Sequence, residues 1–136
     1  MAGKLDEVFG FHENALRLRA QRQQLLASNI ANADTPHYKA KDMDFGKAMQ
    51  SALLQGRNAS QAAGSLSQTN TSHLSGELSA QLPNTFLRKA TQNNLDGNTV
   101  DMDVERNEFV QNAMHYEADV SFAQSEIKGL LSVIQG

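Results

Sequence analysis

Four carboxylates crowd one stretch of the chain, Asp96, Asp101, Asp103 and Glu105, and a metal site is the first chemistry they suggest. A calcium loop needs alternating oxygen ligands, a glycine at its sixth position and a glutamate at its twelfth. Counted from Asp96, the sixth residue is Asp101 and the twelfth is Asn107, so the pattern fails. Helix capping accounts for the same residues: Asp101 or Asp103 can cap a following helix, and Glu105 suits its positive end. The histidines His12, His37, His73 and His115 show no H-x-x-x-H or H-E-x-x-H spacing. Cysteine is absent, which removes disulfides, thiolate ligands and thiol nucleophiles. Serines are plentiful, but nothing positions one beside a histidine and a carboxylate, and there is no glycine-rich phosphate loop. The sequence therefore predicts no catalytic residue, no metal and no cofactor.

Arg17, Arg19 and Arg22 form a short basic cluster. With 12 basic against 15 acidic residues the net charge is −3, which gives no general pull toward nucleic acid or an anionic membrane. No apolar run approaches the ~18 residues of a membrane span, so no membrane insertion is expected. The first residues lack the apolar stretch of a cleavable signal. Arg22 falls on an apolar stripe and is expected to meet a carboxylate of a neighbouring chain.

Two helices must position these residues. From about Leu5 to Ala33, Val8, Phe11, Ala15, Leu18, Arg22 and Leu25 recur at spacings of 3 and 4, and Leu5, Phe9, Leu16, Leu26 and Ile30 widen the stripe. An apolar face about half a turn wide is broader than a two-helix seam. Pro36 ends the element. From about Val104 to Ile134, Phe109, Ala113, Tyr116, Val120, Ala123, Ile127, Leu130 and Ile134 step by 4, 3, 4, 3, 4, 3, 4, a heptad seam.

The middle differs in kind. Between Arg57 and Thr85, fifteen of 29 residues are Ser, Thr, Asn or Gln, too polar to build a core of its own. Leu74, Leu78 and Leu82 could make a weak amphipathic turn before Pro83. The flanking segments, Tyr38 to Phe45 and Phe86 to Thr91, could pair as a small β element. Asn93 to Asn98, with Asp96-Gly97 at its centre, is turn chemistry. The expected fold is mainly α: two long terminal helices paired as an antiparallel coiled coil, with a polar, irregular middle. The expected segments are residues 1–35 (N-terminal helix), 36–56 (turn and short segment), 57–95 (polar region), 96–103 (turn and cap) and 104–136 (C-terminal helix). The stripe on the first helix is wider than one partner helix covers, so further burial is expected from neighbouring copies or partner proteins.

Ser28-Asn29-Ile30-Ala31-Asn32-Ala33-Asp34-Thr35-Pro36-His37-Tyr38-Lys39-Ala40 is the most distinctive stretch. Asn29 and Asn32 lie three apart on one face. An amide in a helix interface is costly unless hydrogen-bonded, so such a pair would set register more than add stability. Leu26 to Pro36 resembles the N-terminal signature of the flagellar rod and hook axial proteins. Tyr38-Lys39-Ala40, with Asp42, Asp44 and Phe45, resembles the proximal rod branch. Asn98 to Glu105, continued by Asn112 to Ala118, is similar to the C-terminal signature of the same proteins. The resemblance covers about residues 15–50 and 95–135. One departure is His37, where the family usually places glycine; a turn with positive φ there would cost histidine a little that glycine is spared.

The resemblance implies a structural, non-enzymatic subunit of the rod, a helically arranged tube that carries torque from rotor to hook. It implies export from the cytoplasm through the flagellar type III apparatus and a place in the basal body, within the MS ring and periplasm. The partners implied are other proximal rod proteins, the rod-base adaptor at the export gate and further copies of the chain. On that reading the assembly interface comprises Phe11, Leu18, Arg22, Leu25, Asn29, Ile30, Asn32, Phe109, Asn112, Tyr116, Val120, Ile127, Leu130 and Ile134. Pro36, Tyr38, Gly97, Asp101, Asp103 and Glu105 would shape the turns and caps. A small coiled-coil adaptor or chaperone oligomer is the alternative.

Overall fold

The computed structural model describes residues 2–61, 84–90 and 94–136. Five elements follow in order: α1 (Ala2–Ala31), β1 (Lys41–Met43), α2 (Phe45–Gln61), β2 (Thr85–Leu87) and α3 (Met102–Gln135). The expected mainly helical fold is present, with α1 and α3 as long terminal helices of roughly 45–50 Å at ~1.5 Å per residue. They run antiparallel: Asn29 meets Glu105 at one end and His12 meets Glu126 toward the other. The two flanking segments do pair. β1 and β2 form an antiparallel ribbon with Lys41 opposite Leu87 and Met43 opposite Thr85. The expected turn at Leu74 to Leu82 lies outside the described residues, as does Asn93.

α2 is not expected from the sequence analysis, which assigns its residues to a short segment and to the polar region. Its apolar positions Phe45, Ala48, Met49, Ala52 and Leu53 do recur at helical spacing, but two are alanine and most of the rest of the segment is polar or glycine. Asp44 starts the helix. Its carbonyl accepts from Ala48 N at 2.9 Å and its carboxylate from Lys47 N at 3.1 Å, which satisfies amides left open in the first turn. Those five residues pack on Ala15, Leu18, Leu25 and Met43 and make the hydrophobic core. Ala15, Leu18 and Leu25 of the broad α1 stripe are thus covered by α2 and β1 from the same chain. Complete burial of Leu18 and Leu26 contributes about 1.5–3 kcal/mol each.

The terminal helices pair as expected, and the side of α3 most deeply buried against α1 is polar. The buried residues of α3 are Glu105 and Asn112, both polar. Glu105, Glu108, Asn112, Asp119 and Glu126 form the row that faces α1. Phe109, Val120 and Leu130 are half-buried, and Tyr116, Ile127 and Ile134 are exposed, Ile134 by 80%. The helices are therefore held together by a polar ladder, with the heptad seam turned beside it.

Candidate functional site

The ladder begins at Asn29, which is fully buried. Its side-chain nitrogen donates to the Lys41 carbonyl at 2.7 Å and to Glu105 Oε2 at 3.1 Å, and its oxygen accepts from Lys41 N at 3.0 Å and from the Tyr38 hydroxyl at 3.3 Å. One amide thereby ties α1 to β1, to the turn and to α3. Without it the Lys41 amide would lose this partner, and Tyr38 and Glu105 would be left to Ser28 and Arg88, so Asn29 fixes how these elements sit together. Asn32 does something more local: it donates to the Ser28 carbonyl and accepts from Thr35, closing the end of α1.

Beside Asn29 lies a charge cluster drawn from four elements. Arg22 of α1 grips Asp42 of β1 with two nitrogens, at 2.9 and 3.1 Å, and reaches Glu108 of α3 at 2.7 Å. Arg88, just past β2, bridges Asp42 and Glu105. The expectation that Arg22 meets a neighbour's carboxylate is thus corrected: both of its partners belong to its own chain, and α2 and β1 bring one of them into place. Burial pulls the Asp42 carboxyl upward, but hydrogen bonds from Arg22, Arg88 and the Met43 amide outweigh this and leave it below the usual carboxylate range. Burial holds Glu105 above that range, with Asn29 and Arg88 opposing and the charges of Asp42 and Glu108 adding to the rise. Arg22 is raised, chiefly by its hydrogen bond to Asp42. Further along, Arg19 pairs with Asp119 at 3.4 Å and lies over the Phe45 ring at 3.7 Å.

Asp101 caps α3, accepting from the amides of Asp103 and Val104. Asp103 is in the exposed first turn. Glu105 is not merely a dipole partner; it is a buried acceptor at the centre of the cluster. The turn after Pro36 runs as the glycine comparison suggested: His37 has φ +61°. His37 N donates to the Asp96 carbonyl at 2.9 Å, and Thr99 N to the Tyr38 carbonyl at 3.0 Å. Gly97 has φ +73°, and a Cβ there would stand 2.9 Å from His37 Nδ1. Asn98, expected in a turn and at the start of the C-terminal signature, is 2% exposed and does more than turn the chain. Its side-chain nitrogen lies 2.8–2.9 Å from the carbonyls of Asn32, Ala33 and Thr35, and its oxygen accepts from Val100 N. It caps the C-terminal end of α1 from the segment that opens α3. No side-chain periodicity reports a cap supplied from 63 to 66 residues away, so this role was not expected from the sequence.

The structure brings together Arg22, Asn29, Glu105 and Tyr38. Leu18 and Leu25 are spent in the chain's own core. Phe11, Tyr116, Ile127 and Ile134 remain exposed, and Ile30 half-buried. Among the described residues no group of acidic or histidine side chains could hold a metal, and no helix is long and apolar enough to cross a membrane. What the arrangement supplies is a pair of helices tied by several ion pairs and hydrogen bonds, with apolar surface left uncovered.

Comparison with known proteins gives the same direction. Residues 9–39 match the flagella basal body rod protein family. Over 136 residues, covering 99% of this chain and 98% of the relative, the chain is 43% identical to the flagellar basal body rod protein FlgB of Escherichia coli K12. It is 45% identical to FlgB of Yersinia enterocolitica over 99% of this chain and 98% of that one, and 38% identical to FlgB of Aeromonas hydrophila over 100% and 98%. With both signatures, the helix pair and matches over whole chains in agreement, the chain belongs to the FlgB family, the structural components of the flagellar basal body rod.

Proposed function

We propose that the chain is a building block of the proximal rod, assembling helically with other rod proteins so that torque passes from the rotor to the hook. The observation that carries this reading is the uncovered apolar surface on the helix pair. Phe9, Phe11, Val110, Met114, Tyr116, Ile127, Leu131 and Ile134 are all exposed. Patches of this kind mark interaction sites in stable proteins. The direct contacts to neighbours fall to Phe11, Ile30, Phe109, Tyr116, Val120, Ile127, Leu130 and Ile134. Leu18, Arg22, Leu25, Asn29, Asn32 and Asn112 serve assembly indirectly, by fixing the shape that presents those contacts. The segments 1–35 and 104–136 are then the axial helices, with 36–56 and 96–103 as the clasp between them and 57–95 as the variable excursion.

The work of such a chain is contact rather than catalysis. It reaches its place through the flagellar type III export apparatus, and its neighbours are the other proximal rod proteins, the rod-base adaptor at the export gate and copies of itself. Ile127→Asp tests the reading. The residue is exposed, so the variant should fold, yet it should fail to enter isolated basal bodies and should not support swimming. Normal swimming and normal incorporation would remove the seam from the interface.

A further inference from the structure

Of all the aspartates and asparagines in the sequence, Asp96 alone is followed by glycine. Asp96 is exposed, in the turn that leads into α3. Glycine carries no Cβ, so its amide nitrogen can approach the aspartyl side chain with little hindrance. The fold occupies every group such an approach would use. The Asp96 carbonyl accepts from His37 N at 2.9 Å, and Gly97 N donates to the Asn94 carbonyl at 3.0 Å. Asp96 Oδ1 accepts from Asn98 N at 3.1 Å, and the Gly97 carbonyl accepts from Lys39 Nζ at 2.8 Å. Two of these partners, His37 and Lys39, come from the turn after α1, so the bond is held only while the clasp is closed.

We propose that the Asp96–Gly97 bond is a site of spontaneous isomerisation to isoaspartate, and that the closed clasp guards it. In the opened chain the Gly97 nitrogen bonds to Asp96 Cγ. The C–OH bond of the carboxyl breaks, and the amide proton leaves with that hydroxyl as water. The product is a five-membered cyclic imide. Water then opens the ring on one of two sides. Cleavage of the bond from nitrogen to Cγ restores aspartate, and cleavage of the bond from nitrogen to the main-chain carbonyl leaves isoaspartate. The water lost is the water regained, and no oxidant or reductant takes part. In the closed clasp the Asp96–Gly97 peptide plane is pinned at its oxygen by His37 and at its nitrogen by Asn94. Turning the nitrogen onto Cγ breaks both bonds and takes Oδ1 from Asn98 as well.

The change reaches the end of α1. Isoaspartate adds one methylene to the main chain and converts the carbonyl that His37 holds into a free carboxylate. Asn98, two residues on, is then displaced from the carbonyls of Asn32, Ala33 and Thr35 that it caps. A chain aged at Asp96 therefore loses the clasp that would have protected it, and a closed one keeps both. The site is independent of the contacts that a rod neighbour makes.

The test follows the full-length chain at neutral pH in two settings. One is concentrated urea, which opens the clasp, and the other is isolated basal bodies, where the clasp should be closed. Tryptic peptides spanning residues 90–106 separate the two isomers, which have equal mass but elute apart. Methylation by an isoaspartyl carboxyl methyltransferase counts them independently. The expected results are steady isoaspartate at position 96 in urea, accumulation severalfold slower in basal bodies, and a Gly97→Ala chain in urea severalfold slower than the wild type, because its Cβ crowds the approach. A wild type that forms no isoaspartate in urea overturns the site. Equal accumulation in basal bodies and urea overturns the guard, and a Gly97→Ala chain as fast as the wild type overturns the ring closure.

Discussion

Replacing Arg88 with methionine should be among the most damaging changes to this chain. The guanidinium, with a side chain 18% exposed, is shared by Asp42 and Glu105, whose side chains are 8% and 0% exposed. Without it Asp42 keeps Arg22, but Glu105 keeps only the amide of Asn29. A buried ion pair broken on one side costs about 3–5 kcal/mol, because the remaining charge is left uncompensated. The slight exposure of Arg88 places the loss near ~3 kcal/mol, or roughly a 150-fold fall in the folded-to-unfolded ratio. For a chain of this size that lowers the melting temperature by on the order of 10 °C. The assay is urea and thermal unfolding of the full chain followed by circular dichroism. Glu105→Gln added to Arg88→Met should recover most of the loss, since the stranded charge is then gone. A loss below about 1 kcal/mol, or no recovery in the double variant, would refute the claim that an unbalanced buried charge is what Arg88 prevents.

Three further outcomes follow from the same contacts. Asn98→Ala uncaps three carbonyls at the end of α1 and should cost about 2–3 kcal/mol in unfolding experiments, with faster hydrogen exchange at residues 28–33. His37 and Gly97 both hold positive φ, so His37→Gly should raise stability by about 0.5–1 kcal/mol, whereas Gly97→Ala should lower it by more, since its Cβ also meets the imidazole. The Asp42 carboxyl titrates lower in the folded chain than in the unfolded one. Its contribution is therefore complete above the unfolded value and fades as pH falls through about 4 toward the folded value. Asp42→Asn should flatten that acid limb of the stability profile and lower the plateau at neutral pH.

The long helices were legible because their apolar residues repeat at helical spacing for many turns, and Pro36 and Asp101 punctuate them. The ribbon was legible from two short segments at either edge of the polar region. α2 escaped because Ala48 and Ala52 carry little hydrophobic signal, although Asp44 and the spacing of Phe45, Met49 and Leu53 were there to be read. The ladder between α1 and α3 escaped for a deeper reason. Periodicity counts apolar residues, and the face by which α3 grips α1 is polar. Asn29, Glu105 and Asn112 are buried, and Arg22 half-buried, only because each finds its partner on another element, and a single sequence does not announce such pairs. Arg88 and Asn98 belong to the same class. They sit in short, unpatterned segments and act on groups far away in the chain, so the fold had to be in view before their roles were.

The most direct test of the whole account is the reactivity of one seam position in two settings. An Ile127→Cys chain that supports swimming is treated with a maleimide, once as dilute free protein and once in isolated basal bodies. The account predicts rapid labelling of the free chain and strong protection in the basal body, because a neighbouring rod subunit covers the seam. Equal labelling in both settings would show that the seam stays open to water in the rod and would contradict the assignment of this face to assembly.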